Sequence, residues 1–580
     1  MSVFWDQLFS LLIIIIGSTL GISVYRGLRR RFEVLVPTAP KTVQHAIRRR
    51  NTAAPEAVPA KEEVASAQAH ERSGTLRETS ALISALFREL KKPEAIRWII
   101  FDSLAVIVVS IMLALFTSST IGGLDIYMST FLPVIGVLIV MFIFTEAVHG
   151  SRFIALISAV LILTGIALQG LLVLSDENPS ADQLVFFAAV SMALAICGCF
   201  VLRLITTVFS RMRMYLLLNA AVIGLYLVLL AFGKNIYGTK AWLVVGGASF
   251  QLTELAKVAT LVIFGLVFTD EGIDSTQRLW CALISLAVNG VFLLLVNELG
   301  TLVILGIAFF LLGFMYLDDI RKLLAVVCIL VAFAAVILGG CFLCQQITNG
   351  QSAAATEPTA AAEAATEPAE EDTSENMPET IPEANTSDQA QTGEQRDSLL
   401  TRLLKLGAKV WRKFALRMNL FLHPEEADPL AEGYQWHKSM NALSLSKALG
   451  SAYEVDIPVV ESDYIYTFLI LKLGVFYSIL ILAMMLGLLS SGFRVCLSNP
   501  CLGEGAVGVA FTIGLVVQSL IAAASATGCF ITIGLPFSFL SDGGTASVTN
   551  YLMTVFLIYA SGHVGTGCCP KPKYVRRKEN

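Results

Sequence analysis

Glu461 and Asp463 stand at the threshold of a long apolar run, PVVESDYIYTFLILKLGVFY (458–477), and Lys472 lies about two and a half helical turns inside it. Charge is costly in hydrocarbon and marks a pathway, a partner or a reaction. A carboxylate at the boundary of water and lipid stays ionised, and a lipid-linked substrate presents its headgroup at that level. Asp463 therefore fits a general base, or an electrostatic partner for a cationic transition state. An acid at the start of a helix, favoured there by the dipole, is the competing reading. Lys472, the deepest charge, requires a carboxylate or a wet cavity.

Other residues add to this set. FQLTELAKV spaces Gln251, Glu254 and Lys257 at i, i+3 and i+6, so that one helix face carries amide, acid and base. The same spacing lets Glu254 and Lys257 simply neutralise each other. Glu298, in VNELGT, falls in a very short turn between two apolar runs. Tyr434, Trp436 and His437 are amphipathic groups able to stack on sugars or to sit at headgroup level. In TIGLPFSFLSDGGTASVTN, Pro536 and the pair Gly543 and Gly544 interrupt any helix. Irregular backbone in an apolar setting survives only where it is buried in protein or lines a cavity. Together these features predict a pocket open to the outer leaflet.

The elements that must hold these groups are membrane helices. The chain has 580 residues, of which 55% are hydrophobic and 15% charged, with a mean hydropathy of +0.71. Soluble domains carry far more charge. Apolar runs long enough to cross a bilayer are expected at 4–24, 97–117, 125–148, 153–175, 183–209, 213–233, 251–269, 278–297, 300–317, 321–345, 463–492, 503–528 and 545–567. YRGLRRR follows the first run, and basic clusters recur at alternate turns up to the tail KPKYVRRKEN. The positive-inside rule thus places the N-terminus outside and the C-terminus in the cytoplasm.

The net charge of −4 gives no basis for a nucleic-acid partner. Most of the 11 cysteines lie in apolar runs, where cysteine acts as a small hydrophobe. Cys341 and Cys344 form a lone C-x-x-C without a second pair, which argues against a metal site. Cys568 and Cys569 follow the last span as spacers or as acylation sites.

Two stretches interrupt the spans. Residues 26–96 read as a cytoplasmic linker. The long outer loop at 346–462 opens with an acid-rich tether at 351–395, with too little apolar content to fold. Its composition then flips at 396–421. Leu399, Leu403, Leu406, Val410 and Phe414 recur at helical spacing, opposite Arg402, Lys405, Lys409, Arg412 and Lys413. This is an amphipathic basic helix suited to the membrane interface, as an anchor or toward anionic headgroups or a pyrophosphate. Residues 422–462 complete the loop.

Five motifs in order resemble the shape, elongation, division and sporulation family of FtsW/RodA/SpoVE-like proteins. They are GTKAWLVVGGASFQLTELAK (238–257, including Trp242), ELGT (298–301), DPLAEGYQWHKS (428–439), PVVESDYIY (458–466) and GLPFSFLSDGG (534–544, including Ser541). The resemblance implies an all-α polytopic fold with a ten-helix core. Core helices 1–7 would lie in 149–345 and 8–10 in 463–567. About three further helices would precede them (an anchor at 1–25 and two more in 97–148), with a basic cytoplasmic tail at 568–580. It implies a peptidoglycan glycosyltransferase that polymerises lipid II at the outer face, beside a class B penicillin-binding protein.

By the same resemblance Asp463 is the essential aspartate, helping to deprotonate the acceptor sugar hydroxyl. Glu254 and Lys257 are the family's charged pair, and Gln435 and Ser439 belong to the loop that shapes the cavity. Gln251, Trp242, Glu298, Tyr434, Glu461, Ser541, Gly543 and Gly544 complete the substrate-binding set. The pyrophosphate leaving group would suit Lys257, the basic helix or a divalent cation such as Mg or Mn, though no metal ligands are assigned.

The sequence departs from the family at several places. Leu471 and Lys472 replace paired acids, LSLSK (443–447) replaces a glycine-rich segment, Glu461 replaces a histidine, Asp542 a tyrosine and Leu252 a proline. A carboxylate beside Asp463 would raise the pKa of one of the two. A lipid-linked precursor transporter and a non-catalytic scaffold for a transpeptidase are the rival readings.

Overall fold

The computed structural model describes residues 93–121, 132–356 and 399–562, except for short gaps at 176–180, 209–210, 237–238, 246–247, 297, 318–319, 429–432, 452, 454, 498, 500 and 542–543. The expected anchor at 1–25, nearly all of the linker, the acidic tether beyond residue 356 and the tail at 568–580 lie outside the described residues.

In chain order the helices are α1 (Pro93–Ile121), α2 (Leu132–Ala147), α3 (Arg152–Ser175), α4 (Ala181–Val208) and α5 (Arg211–Phe232). Three strands follow, β1 (Lys234–Ile236), β2 (Thr239–Val245) and β3 (Ala248–Gln251). Then come α6 (Leu252–Phe268), α7 (Ser275–Leu295), α8 (Leu299–Tyr316) and α9 (Ile320–Thr356), and after them α10 (Leu399–Leu422), α11 (Tyr434–Ser444), α12 (Ile465–Leu473), α13 (Val475–Leu497), α14 (Leu502–Ala526) and α15 (Gly544–Gly562). Among the described residues, eight helices are long and apolar enough to cross a membrane, and two shorter apolar helices accompany them. The chain is a multi-pass helical membrane protein.

The described residues separate into two units, one of Met1–Leu323 with Asp428–Asn580 and one of Leu324–Ala427. In the first, α3, α6, α12, α14 and α15 are buried along most of their length. They are mostly apolar on every face, as enclosed helices must be, and their buried polar side chains Gln169, Glu254, Lys257 and Gln518 find partners inside the protein. Gly265 on α6 meets the backbone of Val507 on α14, a contact that a Cβ would prevent. Helices α1 and α2 are tied to α3 by charge. Arg152 at the head of α3 donates from Nε to Glu146 Oε1 of α2 at 2.5 Å, and its guanidinium lies 3.9 Å from the ring centroid of Trp98 on α1.

Two features depart from the expected pattern of spans. Residues 234–251 form a three-stranded antiparallel sheet, with Trp242 paired to Gln251 and Val245 to Ala248. Aromatic and β-branched residues around Gly-Gly favour a hairpin here. Gln251 therefore closes a strand and is not on the helix face with Glu254 and Lys257.

The second departure is that the span expected over 463–492 is two helices, α12 and α13, broken at Gly474 with φ +92°. The loop 447–451 repairs the break. The backbone N–H of Val475 donates to Lys447 O, that of Phe476 to Ala448 O, and that of Ser451 to Leu471 O. Groups that a helix end leaves without partners are thus satisfied from one loop. Lys472 is consequently in the last turn of a short helix, where the dipole favours a cation. Its Nζ donates to Tyr453 O at 3.1 Å and lies 5.9 Å from the Phe468 ring centroid.

Helix α9, most of which belongs to the second unit, runs for 37 residues, or about 55 Å at 1.5 Å per residue. That exceeds the roughly 30 Å of a hydrocarbon core. The basic amphipathic α10 lays Gly407 against Cys344, and Trp411 edge-on to Phe342 with centroids 5.1 Å apart.

Candidate functional site

Asp463 sits in a run of turns, 458–464, immediately before α12. Val459 adopts φ +55°, and its carbonyl accepts the N–H groups of Ser462, Asp463 and Tyr464, curling the chain tightly. Ser462 Oγ donates to Asp463 Oδ1 at 3.1 Å. The N-cap position of α12 is Tyr464, which makes no side-chain cap bond, so the aspartate precedes the cap and does not occupy it. Asp463 is half-buried, as is Glu461 two residues earlier.

The turn rests on the irregular segment between α14 and α15. Residues 531–537 are non-helical, and α15 starts only at Gly544. Side chains of the surrounding helices satisfy this backbone. Gln518 Nε2 donates to Pro536 O at 2.9 Å, the Ser538 N–H donates to Ser519 Oγ, and Ser538 Oγ donates to Leu515 O. The Phe537 ring stacks on Tyr466 of α12, centroids 5.5 Å apart and nearly coplanar in orientation. Ser541 Oγ accepts the Phe537 N–H and donates to Ser462 O, both at 2.7 Å. This irregular backbone is thereby kept inside protein, as an apolar setting requires.

A buried charged cluster holds the other end of that segment. Lys257 Nζ lies 2.6 Å from Glu254 Oε2 and 2.6 Å from Gln518 Oε1, and Thr549 Oγ1 donates to Glu254 Oε2 at 3.2 Å. Glu254, Lys257 and Gln518 are all essentially inaccessible to solvent. The i, i+3 spacing on α6 brings acid and base together, and Gln518 links the pair to the carbonyl of Pro536.

A third group gathers where the sheet meets the turn between α7 and α8. Gln251 Nε2 reaches Glu298 Oε1 at 3.5 Å, Thr301 Oγ1 donates to the same oxygen at 2.6 Å, and the Gln251 N–H donates to Thr545 Oγ1. Burial pushes the Glu298 carboxyl above the ordinary carboxylate range, against the lowering hydrogen bond from Thr301. Trp242, half-buried, is the cross-strand neighbour of Gln251. Lys240 pins the sheet, its N–H donating to Val296 O and its Nζ to Leu230 O.

Helix α11 divides its expected residues. Ser439 is fully buried, and its hydroxyl is engaged by Thr467 Oγ1 and Ala526 O. Gln435 is exposed, and Tyr434 is half-buried with Lys438 Nζ 5.5 Å from its ring centroid. Trp436 lies against Gly528, and His437 sits edge-on to it, centroids 5.0 Å apart. Gly544 opens α15, while Asp542 and Gly543 lie outside the described residues. Among the described residues no group of three or more His, Cys, Asp or Glu could hold a metal ion.

Gln169, Gln518, Thr545 and Thr549 also belong to this constellation, although sequence reasoning singled out none of them as a site residue. The two amides carry a signal in LTGIALQGLL and GLVVQSLIAA, because an amide inside an apolar span must find partners.

The FtsW/RodA/SpoVE family model, described as Cell cycle protein, matches residues 151–353 and 401–564. The chain is 30% identical over 149 residues to a probable peptidoglycan glycosyltransferase FtsW of Synechocystis, covering 24% of this chain and 37% of that protein. It is 32% identical over 145 residues to the stage V sporulation protein E of Bacillus subtilis, covering 24% of this chain and 39% of that protein. The matched stretches thus span well under half the length of these relatives. A chain of a peptidoglycan synthase complex aligns with a TM-score of 0.46 at 19% identity, covering 71% of this chain and 97% of that one. With the family model matched from α3 to α15, across the Asp463 turn and the buried Glu254–Lys257 pair, the chain belongs to the FtsW/RodA/SpoVE family.

Proposed function

We propose that this protein is a peptidoglycan glycosyltransferase that polymerises lipid II into glycan strands at the outer face of the cytoplasmic membrane. The observation that carries the reading is that one non-helical segment, 531–541, touches both charged centres. It meets the Asp463 turn through Ser541, and the Glu254–Lys257 pair through Gln518. A half-buried carboxylate set beside irregular backbone suits a headgroup arriving from lipid.

Asp463 accepts the proton of the acceptor sugar hydroxyl as that oxygen bonds to the donor's anomeric carbon. The anomeric C–O bond breaks with its electron pair, and undecaprenyl pyrophosphate leaves. Lys257 is committed to Glu254 and Gln518, so it acts by holding the 531–541 segment in place. Trp242, Gln251, Glu298, Tyr434, Gln435 and Glu461 are the groups this reading assigns to the substrate. By the same family reading, the partner is a class B penicillin-binding protein.

The test is purified full-length protein in vesicles with labelled lipid II. Glycan strands that form with the wild type and vanish in Asp463→Ala support polymerisation. Headgroup translocation without polymer would instead make the protein a transporter. Neither activity, together with co-purification of a transpeptidase, would leave a scaffold.

A further inference from the structure

Gln169 lies on α3, almost three hundred residues before Asp463 in the chain. Its side chain is 6% exposed, and its single amide nitrogen makes two hydrogen bonds. Nε2 donates to Leu540 O at 2.9 Å and to Glu461 O at 3.1 Å. The two acceptors come from the two segments that must meet to build the site, the turn before α12 and the irregular stretch before α15. One turn earlier on the same face of α3, Gly165 lies so close to the Phe539 carbonyl that a Cβ there would collide with it. The helix backbone thus touches the segment directly at 165 and clasps it at 169.

The neighbouring carbonyl is also held, since Ser541 Oγ donates to Ser462 O at 2.7 Å. Both carbonyls that immediately precede Asp463, those of residues 461 and 462, are therefore fixed from outside the turn. Fixing two successive peptide planes restrains the backbone from which the Asp463 side chain projects. An uncharged amide is well suited to the task, because both of its N–H groups are donors and carbonyl oxygens only accept. An apolar residue at 169 would leave the buried Leu540 carbonyl and the part-buried Glu461 carbonyl without these partners.

We infer that Gln169 is a positioning residue for the glycosyl-transfer step, acting through Asp463 by clamping the carbonyls of Glu461 and Leu540 with one amide. The inference rests on the glycosyltransferase reading and deepens it, adding α3 to the elements that build the site.

The test measures lipid II polymerisation by the full-length chain in vesicles, with kcat and KM determined separately. Gln169→Met preserves side-chain length and apolar fit while removing both donors. It is expected to lower kcat by roughly ten- to a hundredfold, the scale for a catalytic group displaced by about 1 Å, with KM within about twofold. Ser541→Ala, which releases the Ser462 carbonyl from a different element, is expected to show the same kcat-specific loss. It carries the test alone if Gln169→Met does not fold. Full kcat in a folded Gln169→Met or in Ser541→Ala, or a loss confined to KM, overturns the inference while the reading stands. Absence of polymer from the wild type sinks both.

Discussion

The Ser439 and Thr467 hydroxyls lie 2.8 Å apart, and both donate toward the carbonyl of Ala526 at 3.0 Å. Three elements (α11, α12 and the end of α14) are thus joined at one buried point. The hydroxyl of Ser439, the loop residue expected to shape the substrate cavity, is engaged inside the protein by Thr467 and Ala526. Ser439→Ala removes one arm and leaves Thr467 bonded to Ala526. It should lower unfolding stability by about 1 kcal/mol, read as thermal unfolding in detergent, with lipid II KM unchanged. A raised KM without loss of stability would return Ser439 to the substrate surface.

Much of this arrangement is legible in the residues. Among the described residues, most apolar runs mark helices within a few positions of those observed, because a span needs about 20 apolar residues and little else competes for that pattern. Helix α9 is an exception, since it continues to Thr356 where a span ending at 345 and then an unstructured loop are expected. Asp463, Glu254 and Lys257 stand out because charge in such a setting demands an explanation. Long-range side-chain contacts are not legible. Gln169 and Gln518 act on carbonyls presented by a segment with no periodicity, and no local rule says which carbonyls lie near. The break at Gly474 is hidden because hydropathy continues through it. Only the positive φ and the loop 447–451 reveal that the run is two helices. The spacing of Gln251 to Glu254 and Lys257 fits a helical face, whereas strand pairing with Trp242 sets its conformation.

The Glu254–Lys257 pair is fully buried, so its halves are unequal to remove singly and nearly equal to remove together. Lys257→Met leaves Glu254 buried with only the Thr549 hydroxyl, and Glu254→Gln leaves the ammonium with two amide partners. Breaking such a pair typically costs about 3–5 kcal/mol, while replacing both partners is close to neutral. Lys257→Met should therefore be the less stable variant, and Glu254→Gln with Lys257→Met should recover most of the loss. Equal unfolding temperatures in the single and double variants would mean that the pair does not support the core.

Glu298 makes stability depend on pH in a defined direction. Its folded-state pKa is raised above the ordinary 4.5 by burial. Below 4.5 the group is protonated whether folded or unfolded and nothing is lost. As pH rises from there through the raised value, the unfolded chain gives up the proton first, and stability falls. Glu298→Gln keeps an acceptor for Thr301 and cannot ionise. It should raise the unfolding temperature at pH 7.5 and leave it nearly unchanged at pH 4, a difference that differential scanning fluorimetry can read. A larger gain at pH 4 would contradict the sign.

Gly450 and Gly474 face each other across the repaired break, with φ +97° and +92°. A Cβ at 474 would approach the Gly450 nitrogen and the Ala448 carbonyl, and one at 450 would strike the Lys472 carbonyl. Alanine at either position therefore meets a disfavoured backbone region, a cost of about 1–3 kcal/mol, and a clash with main chain that cannot swing aside. Gly136 on α2 serves as the contrast, because a Cβ added there would meet nothing within 4 Å. Gly136→Ala should be neutral or slightly stabilising, since alanine is the better helix former. Gly450→Ala and Gly474→Ala should each lower folded yield and unfolding temperature, and should loosen the loop 447–451 that supplies both helix ends. Because that loop leads into the Asp463 turn, the folded fraction should also lose turnover. Wild-type stability in both variants would show that residues 463–497 tolerate a continuous helix and that the break is not required.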